Sequence, residues 1–111
     1  MRVLLDESVP KALGFQLEGH FVRTAQAAGF GGMSNGKLLA AMKAADFEVL
    51  VTCDQNLPYQ QGIDIPVKVL VLVAKDNRVT TILEFTQVLL YAFVEIQNQD
   101  HYPNITRLLP R

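Results

Sequence analysis

The stretch that decides the fold is FEVLVTCD, at residues 47–54. Its middle, VLV at residues 49–51, is a continuous apolar run. Such a run is typical of a strand that is buried on both faces, as in a parallel sheet. A Thr and a Cys follow the run, and Asp54 comes directly after them. The stretch therefore predicts a strand over residues 47–52 that is buried on both faces and ends beside a carboxylate.

The chain opens on a second stretch of this kind, VLLDESVP at residues 3–10. Its apolar run ends directly at Asp6. Ser8 is a common type of helix N-cap, and Pro10 fits the first turn of a helix. The stretch predicts a strand over residues 3–5 and a following helix that is capped by Ser8.

Strands and helices alternate along the rest of the chain. The alternation predicts an α/β fold with three layers, in which a mostly parallel sheet of four to five strands has helices on both faces. With 111 residues, half of them hydrophobic, residues 1–111 are expected to form a single domain with a real core. The other predicted elements are strands over 21–24, 67–73 and 105–109, and helices over 37–45 and 81–97, the last with a capping box formed by Thr81 and Glu84.

Composition excludes several classes of protein. The formal net charge is −1, from ten basic and eleven acidic residues, whereas a non-specific nucleic-acid binder is usually clearly basic. The single cysteine cannot form an internal disulfide and suits a reducing cytosol. No apolar run approaches the roughly 20 residues of a membrane span, and Asp6 would interrupt a signal-peptide core. A cytoplasmic protein without membrane contact is expected.

The two strand-end aspartates predict a site. Ligands of parallel sheets bind beyond the carboxyl ends of the strands, for example at a switch point between strands one and three. If these strands are neighbours, Asp6 and Asp54 project into one crevice, where a hard cation such as Mg²⁺ or Mn²⁺ would keep both ionised. Glu7, Asn35 and Asn56 are candidate outer ligands or substrate contacts. The alternative is that each aspartate only caps the helix that follows it.

The same segments resemble a known family. Residues 3–10 are similar to the start of the small PIN-like proteins, which are relatives of the PIN-domain nucleases. VLVTCDQNL at residues 49–57 resembles their second signature, a strand, then a Thr, then an Asp one residue on. Residues 29–39, a glycine-containing loop that enters a helix, resemble the segment between. The likeness extends over residues 1–73.

The resemblance implies a PIN-like fold, a Mg²⁺ or Mn²⁺ site and hydrolysis of phosphodiester bonds in single-stranded RNA. Such nucleases include the toxins of toxin–antitoxin pairs, so a small antitoxin-like protein is an implied partner. Asp6 and Asp54 match the metal-binding acids of the family, and Asn35 stands where relatives often carry an acid. An amide retains an oxygen ligand but removes one negative charge, which weakens metal binding. The other hypothesis is therefore a weakened PIN-like scaffold that acts as a protein-binding module.

Four further features have plainer alternatives. The glycine-rich loop at residues 29–36 lacks both the third glycine and the abutting strand of a dinucleotide-binding fingerprint. Tyr59 could stack on a base or simply pack on its loop. Cys53 could be reactive or a small buried hydrophobe. The pattern leaves open whether the exposed face of the helix over 81–97 forms a homodimer.

Overall fold

A computed structural model of the chain describes residues 1–56 and 67–110. The strands form one sheet of five parallel strands, in the order β2-β1-β3-β4-β5. The α/β class and the parallel sheet are therefore confirmed, and each strand lies within two residues of its predicted bounds. The elements are β1 (Arg2–Leu5), a 3₁₀ helix (Lys11–Gln16), β2 (Phe21–Thr24), α1 (Asn35–Ala44), β3 (Val49–Thr52), β4 (Lys68–Leu72), α2 (Val79–Leu83), α3 (Thr86–Asn98) and β5 (Ile105–Leu108).

The sheet is covered on both faces, and β3 shows this most clearly. Val49, Leu50 and Val51 are completely buried. Val49 and Val51 belong to the core formed with the 3₁₀ helix, α2 and α3, whereas Leu50 belongs to the second core, formed with α1. Because successive strand residues point to opposite faces, a strand between two cores needs apolar residues at every position.

The order of the strands determines where the site lies. β1 pairs with β3, with Leu5 opposite Val51, so the two strands end side by side. The backbone N–H of Asp6 extends this pairing by donating to the carbonyl of Val51 at 3.0 Å. The order 2-1-3-4-5 is a doubly wound arrangement whose switch point lies between β1 and β3. The carboxyl ends of β1 and β3 thus face the crevice where such sheets bind ligands.

The first helix differs from its prediction. It is a 3₁₀ helix that begins at Lys11, with Pro10 as the preceding cap residue and no side-chain cap. The prediction that Ser8 caps this helix is wrong, because the Ser8 hydroxyl bonds to Asp6 instead.

The helix predicted over residues 81–97 consists of two helices. α2 ends in tight i to i−3 turns, where the N–H of Phe85 donates to the carbonyl of Ile82 at 3.0 Å. The Thr86 hydroxyl also donates to the carbonyl of Leu83 at 2.8 Å. α3 starts from there.

The predicted capping box at Thr81 is wrong as well. α2 begins at Val79, so Thr81 lies inside the helix. The residue that organises the start of α2 is Asp76, whose carboxylate accepts from the backbone N–H of Arg78 at 3.0 Å and from Thr81. These hydrogen bonds lower the pKa of Asp76, with the Thr81 contribution the largest.

Candidate functional site

A cavity of about 210 Å³ brings together four of the five predicted side chains. Asp6, Glu7, Asn35 and Asp54 line it. The fifth, Asn56, is not among the described residues of its lining. The rest of the wall is mostly apolar: Ser8, Ala25, Phe30, Met33 and Leu38. We call this space the acidic cavity.

The fold explains the convergence. Asp6 directly follows β1 and Asp54 comes two residues after β3, and these strands are neighbours that end level with each other. Asn35 is the first residue of α1, on the sheet face that α1 covers. Three segments far apart in the sequence therefore line one small volume.

Asp6 is buried, with 8% of its surface exposed, and both oxygens of its carboxylate accept hydrogen bonds from the protein. One oxygen, Oδ1, accepts from the backbone N–H of Ser8 at 2.7 Å and from the Ser8 hydroxyl. The other, Oδ2, accepts from the hydroxyl of Thr52. A buried charge needs such donors, because hydrogen bonds replace the water that it loses. Asp6 thus ties the end of β1 to the end of β3.

Thr52, which was not among the predicted site residues, lies between Asp6 and Asp54. Its side chain is completely buried. Its hydroxyl donates to Asp6 and accepts from the backbone N–H of Asp54 at 2.9 Å. The signal for this role was present in the sequence, as a polar residue between an apolar run and an aspartate.

Ser8 has a comparable role. Its hydroxyl donates to Asp6 and accepts from the backbone N–H of Cys53 at 3.0 Å. The spacing of Asp6 and Ser8, two residues apart, fits an Asx-type turn, in which the carboxylate accepts from the backbone N–H two residues on. Ser8 and Thr52 together hold the loop after β3 against the loop after β1.

Asp54 forms a turn of the same type. Its Oδ1 accepts from the backbone N–H of Asn56 at 2.9 Å. Asn56 therefore contributes its backbone to the orientation of Asp54, while Asn56 itself is exposed. Its predicted place as an outer ligand or substrate contact stays a prediction.

Glu7 connects the site to the loop between β2 and α1. Its Oε1 accepts from the backbone N–H of Gly32 at 2.8 Å. Gly32 has φ +77°, a left-handed conformation that glycine adopts without a steric penalty. The glycine-rich loop thus supports a carboxylate of the site.

Cys53 is a neighbour of the site with an unreactive thiol. Burial, followed by the negative charge of Asp6, raises the pKa of Cys53 to about 11. The thiolate is the nucleophilic form, so at neutral pH this side chain is protonated and inert. Cys53 also packs against the core, as expected of a small hydrophobe.

The side chains of the acidic cavity can be compared with the ligands that Mg²⁺ and Mn²⁺, the cations that the resemblance implies, prefer. Carboxylate and amide oxygens are hard ligands, and Mg²⁺ is usually held by one or two carboxylates and several waters. In residues 1–56 and 67–110, no group of three or more His, Cys, Asp or Glu side chains could hold a metal ion. Asp6 and Asp54 supply the number of carboxylates that a hydrated Mg²⁺ uses, and the described side chains do not form a closed protein cage.

Tyr59 lies outside the described residues. None of the described helices is long and apolar enough to cross a membrane.

Comparison with models of protein families, with curated proteins and with solved structures finds no match. The chemistry of the site therefore has to be inferred from its own side chains.

Proposed function

We propose that this chain is a PIN-like, metal-dependent ribonuclease that hydrolyses phosphodiester bonds of single-stranded RNA. One observation carries the proposal: Asp6, Glu7, Asn35 and Asp54 line a single cavity at the carboxyl ends of β1 and β3. Carboxylates that converge at a sheet switch point are suited to a hard divalent cation. The resemblance of residues 1–73 to PIN-like proteins supports the same conclusion.

Each residue has a defined part in this proposal. Asp6 and Asp54 would hold Mg²⁺ or Mn²⁺, and Thr52 would keep the two carboxylates in register. Asn35 would supply an uncharged oxygen, and Glu7 would complete the outer shell from the loop side. When bound, the cation would neutralise the charge that develops on the phosphodiester. The apolar wall around Phe30 and Leu38 would keep bulk water from one side of the reacting groups.

A second function is a PIN-like scaffold that binds a partner protein, such as a small antitoxin-like chain. Two observations favour it. The Asp6 carboxylate already accepts three hydrogen bonds from the protein. On α3, Tyr91 and Val94 are 65% and 50% exposed, which is an apolar surface on a helix. This scaffold would need neither metal nor hydrolysis.

The test is cleavage of a labelled single-stranded RNA by the purified chain, with Mg²⁺, with Mn²⁺ and with a chelator. We expect cleavage that requires the cation and that falls at least about 100-fold in Asp54→Asn, because a lost ligand removes several kcal/mol of charge stabilisation. Asp100→Asn is the matched control, since Asp100 is exposed and lies outside the site. We expect it to cleave like the wild type.

Two outcomes would contradict the ribonuclease. Cleavage that persists in Asp54→Asn, or in the chelator, would come from a contaminant or from another site. Absence of cleavage, together with a stable complex with a small partner protein, would favour the binding scaffold.

A further inference from the structure

Three cavities adjoin one another around the carboxyl end of β1 and along the length of β2. The acidic cavity shares Asp6, Glu7 and Ala25 with a groove of about 880 Å³, which we call the middle groove. The middle groove shares Lys11 and Thr24 with a third space of about 400 Å³, which we call the basic cavity. The three spaces therefore form a continuous surface from β3, across β1, to β2.

Charge changes sign along this surface. The acidic cavity carries three carboxylates, whereas the basic cavity is lined by Lys11, His20 and Arg23 and by no carboxylate among the described residues. Burial, followed by the nearby amino group of Met1, lowers the pKa of His20, so Lys11 and Arg23 carry the positive charge at neutral pH. A polyanion would be attracted to this end of the surface.

The donors of the two cations are available. Arg23 stacks on the ring of Phe21, with its guanidinium carbon 4.0 Å from the ring centroid, and donates one hydrogen bond to the carbonyl of Val22 at 2.9 Å. A guanidinium has five N–H donors, so others remain for a ligand. Lys11 is exposed and has no hydrogen-bond or ion-pair partner in the described part of the chain. Stacking fixes the Arg23 plane, and Lys11 is free to reach a ligand.

An aromatic ring lies beside these cations. Phe15 lines the basic cavity and is 77% exposed, more than the other exposed large hydrophobics of the described chain. Single-stranded nucleic acids bind to surfaces where an exposed ring lies beside cations, because bases stack on the ring while phosphates contact the cations. An acidic peptide would use the cations but would gain nothing comparable from a flat ring.

We propose that the middle groove and the basic cavity bind the single-stranded RNA on one side of the cleavage point, with Lys11 and Arg23 on phosphates and Phe15 on a base. The inference rests on the proposed function, because the acidic cavity marks the end at which cleavage would occur. The surface extends over two strand spacings, about 10 Å. The site would therefore hold more of the strand than the phosphodiester that is cut.

The experiment measures binding of a fluorescein-labelled oligouridylate to the full chain by anisotropy, in chelator, at several salt concentrations. A single-stranded ligand loses affinity with salt at a slope of about −0.7 per phosphate contact. We expect Lys11→Gln and Arg23→Gln each to weaken binding and to reduce the slope by about 0.7. Phe15→Ala should weaken binding about fivefold or more and leave the slope unchanged, because stacking is not ionic.

Matched controls make the same changes elsewhere. Lys43→Gln removes an exposed lysine in the last turn of α1, and Tyr91→Ala removes an exposed ring on α3. Both controls should bind the probe like the wild type. The proposal is overturned if the probe does not bind, if the three variants bind it unchanged, or if the controls lose as much. It is also overturned if polyglutamate competes as well as unlabelled oligouridylate does.

Failure of this inference is distinguishable from failure of the proposed function. Suppose that metal-dependent cleavage is lost in Asp54→Asn, but that Lys11→Gln, Arg23→Gln and Phe15→Ala bind the probe like the wild type. This result would overturn the proposed RNA-binding surface and would still support the proposed nuclease. If these variants weaken binding and no cleavage is seen, the result would support the middle groove and the basic cavity as an RNA-binding surface in a protein that does not cut RNA.

Discussion

Thr52 connects the two aspartates of the site through one hydroxyl. The oxygen donates to Asp6 and accepts from the backbone N–H of Asp54, and it is completely buried. Since water cannot replace either hydrogen bond, both partners depend on this side chain. The position of the Asp6 carboxylate is therefore coupled to the backbone of Asp54.

Thr52→Val, which keeps the shape and removes the hydroxyl, should lower the free energy of unfolding by about 1–3 kcal/mol, the usual effect of leaving a buried partner unsatisfied. Thr52→Ser retains the hydroxyl and loses one methyl group, so its expected loss is only about 1 kcal/mol. Urea unfolding of the two variants measures the difference. Equal losses in both would show that the methyl group, and not the hydroxyl, matters at this position.

At the residue scale, the sequence predicted that Asp6 and Asp54 lie close together, but it did not predict which residues hold them there. Asp6 and Asp54 could be singled out because each follows an apolar strand within two residues, and parallel sheets bind ligands beyond the carboxyl ends of their strands. The hydrogen bonds from Ser8 to Asp6 and from the backbone of Asn56 to Asp54 were not predicted. They depend on the backbone geometry of short turns, which the residue types alone do not determine. Ser8 in particular suits a helix cap equally well, and only the position of Asp6 decides between the two.

Among the elements, α2 shows how one carboxylate can organise a short helix. Asp76 accepts hydrogen bonds from Thr81 and from the backbone N–H of Arg78, and these lower its pKa. A group with a lowered pKa stabilises the fold when ionised. Its contribution is complete above the ordinary pKa of an Asp, 3.8, and disappears as the pH falls through the lowered value.

Asp76→Ala should therefore be less stable than the wild type at neutral pH, and the difference should vanish in acid. Thermal unfolding at a series of pH values measures it. Asp100→Ala is the control, because it removes the same charge at an exposed position outside the helices. A difference between Asp76→Ala and wild type that is constant at all pH values would show that the carboxylate charge has no part in starting α2.

The break between α2 and α3 could not be predicted, whereas the strands could. Ile82, Phe85 and Leu89 are all completely buried, at spacings of three and four residues, so the apolar pattern continues across the break. The apolar pattern shows which face of a helix is buried, but it does not show which carbonyl accepts from each backbone N–H. The strands were easier to predict. A short, continuous apolar run between two layers of helices is typical of a buried parallel strand.

For the whole molecule, the decisive fact is that β1 lies beside β3. The alternation of strands and helices predicted a parallel sheet. It did not predict that these two strands are neighbours, although the predicted site required it. The structure meets that condition, with Leu5 opposite Val51. Strand order depends on long-range packing of all the layers together, which no local pattern determines. Once it is given, the meeting of Asp6, Asp54 and the start of α1 follows.

The most direct test of the central claim, that Asp6 and Asp54 form a divalent-cation site, is calorimetric titration of Mn²⁺ into the wild type and three variants. We expect saturable binding in the wild type, loss of it in Asp54→Asn, and about tenfold tighter binding in Asn35→Asp, which adds a charged ligand and is worth about 1.4 kcal/mol. Asn98→Asp, at the exposed end of α3, should bind like the wild type. No saturable heat in the wild type up to the millimolar range of weak sites, or the same binding in Asp54→Asn, would contradict the claim.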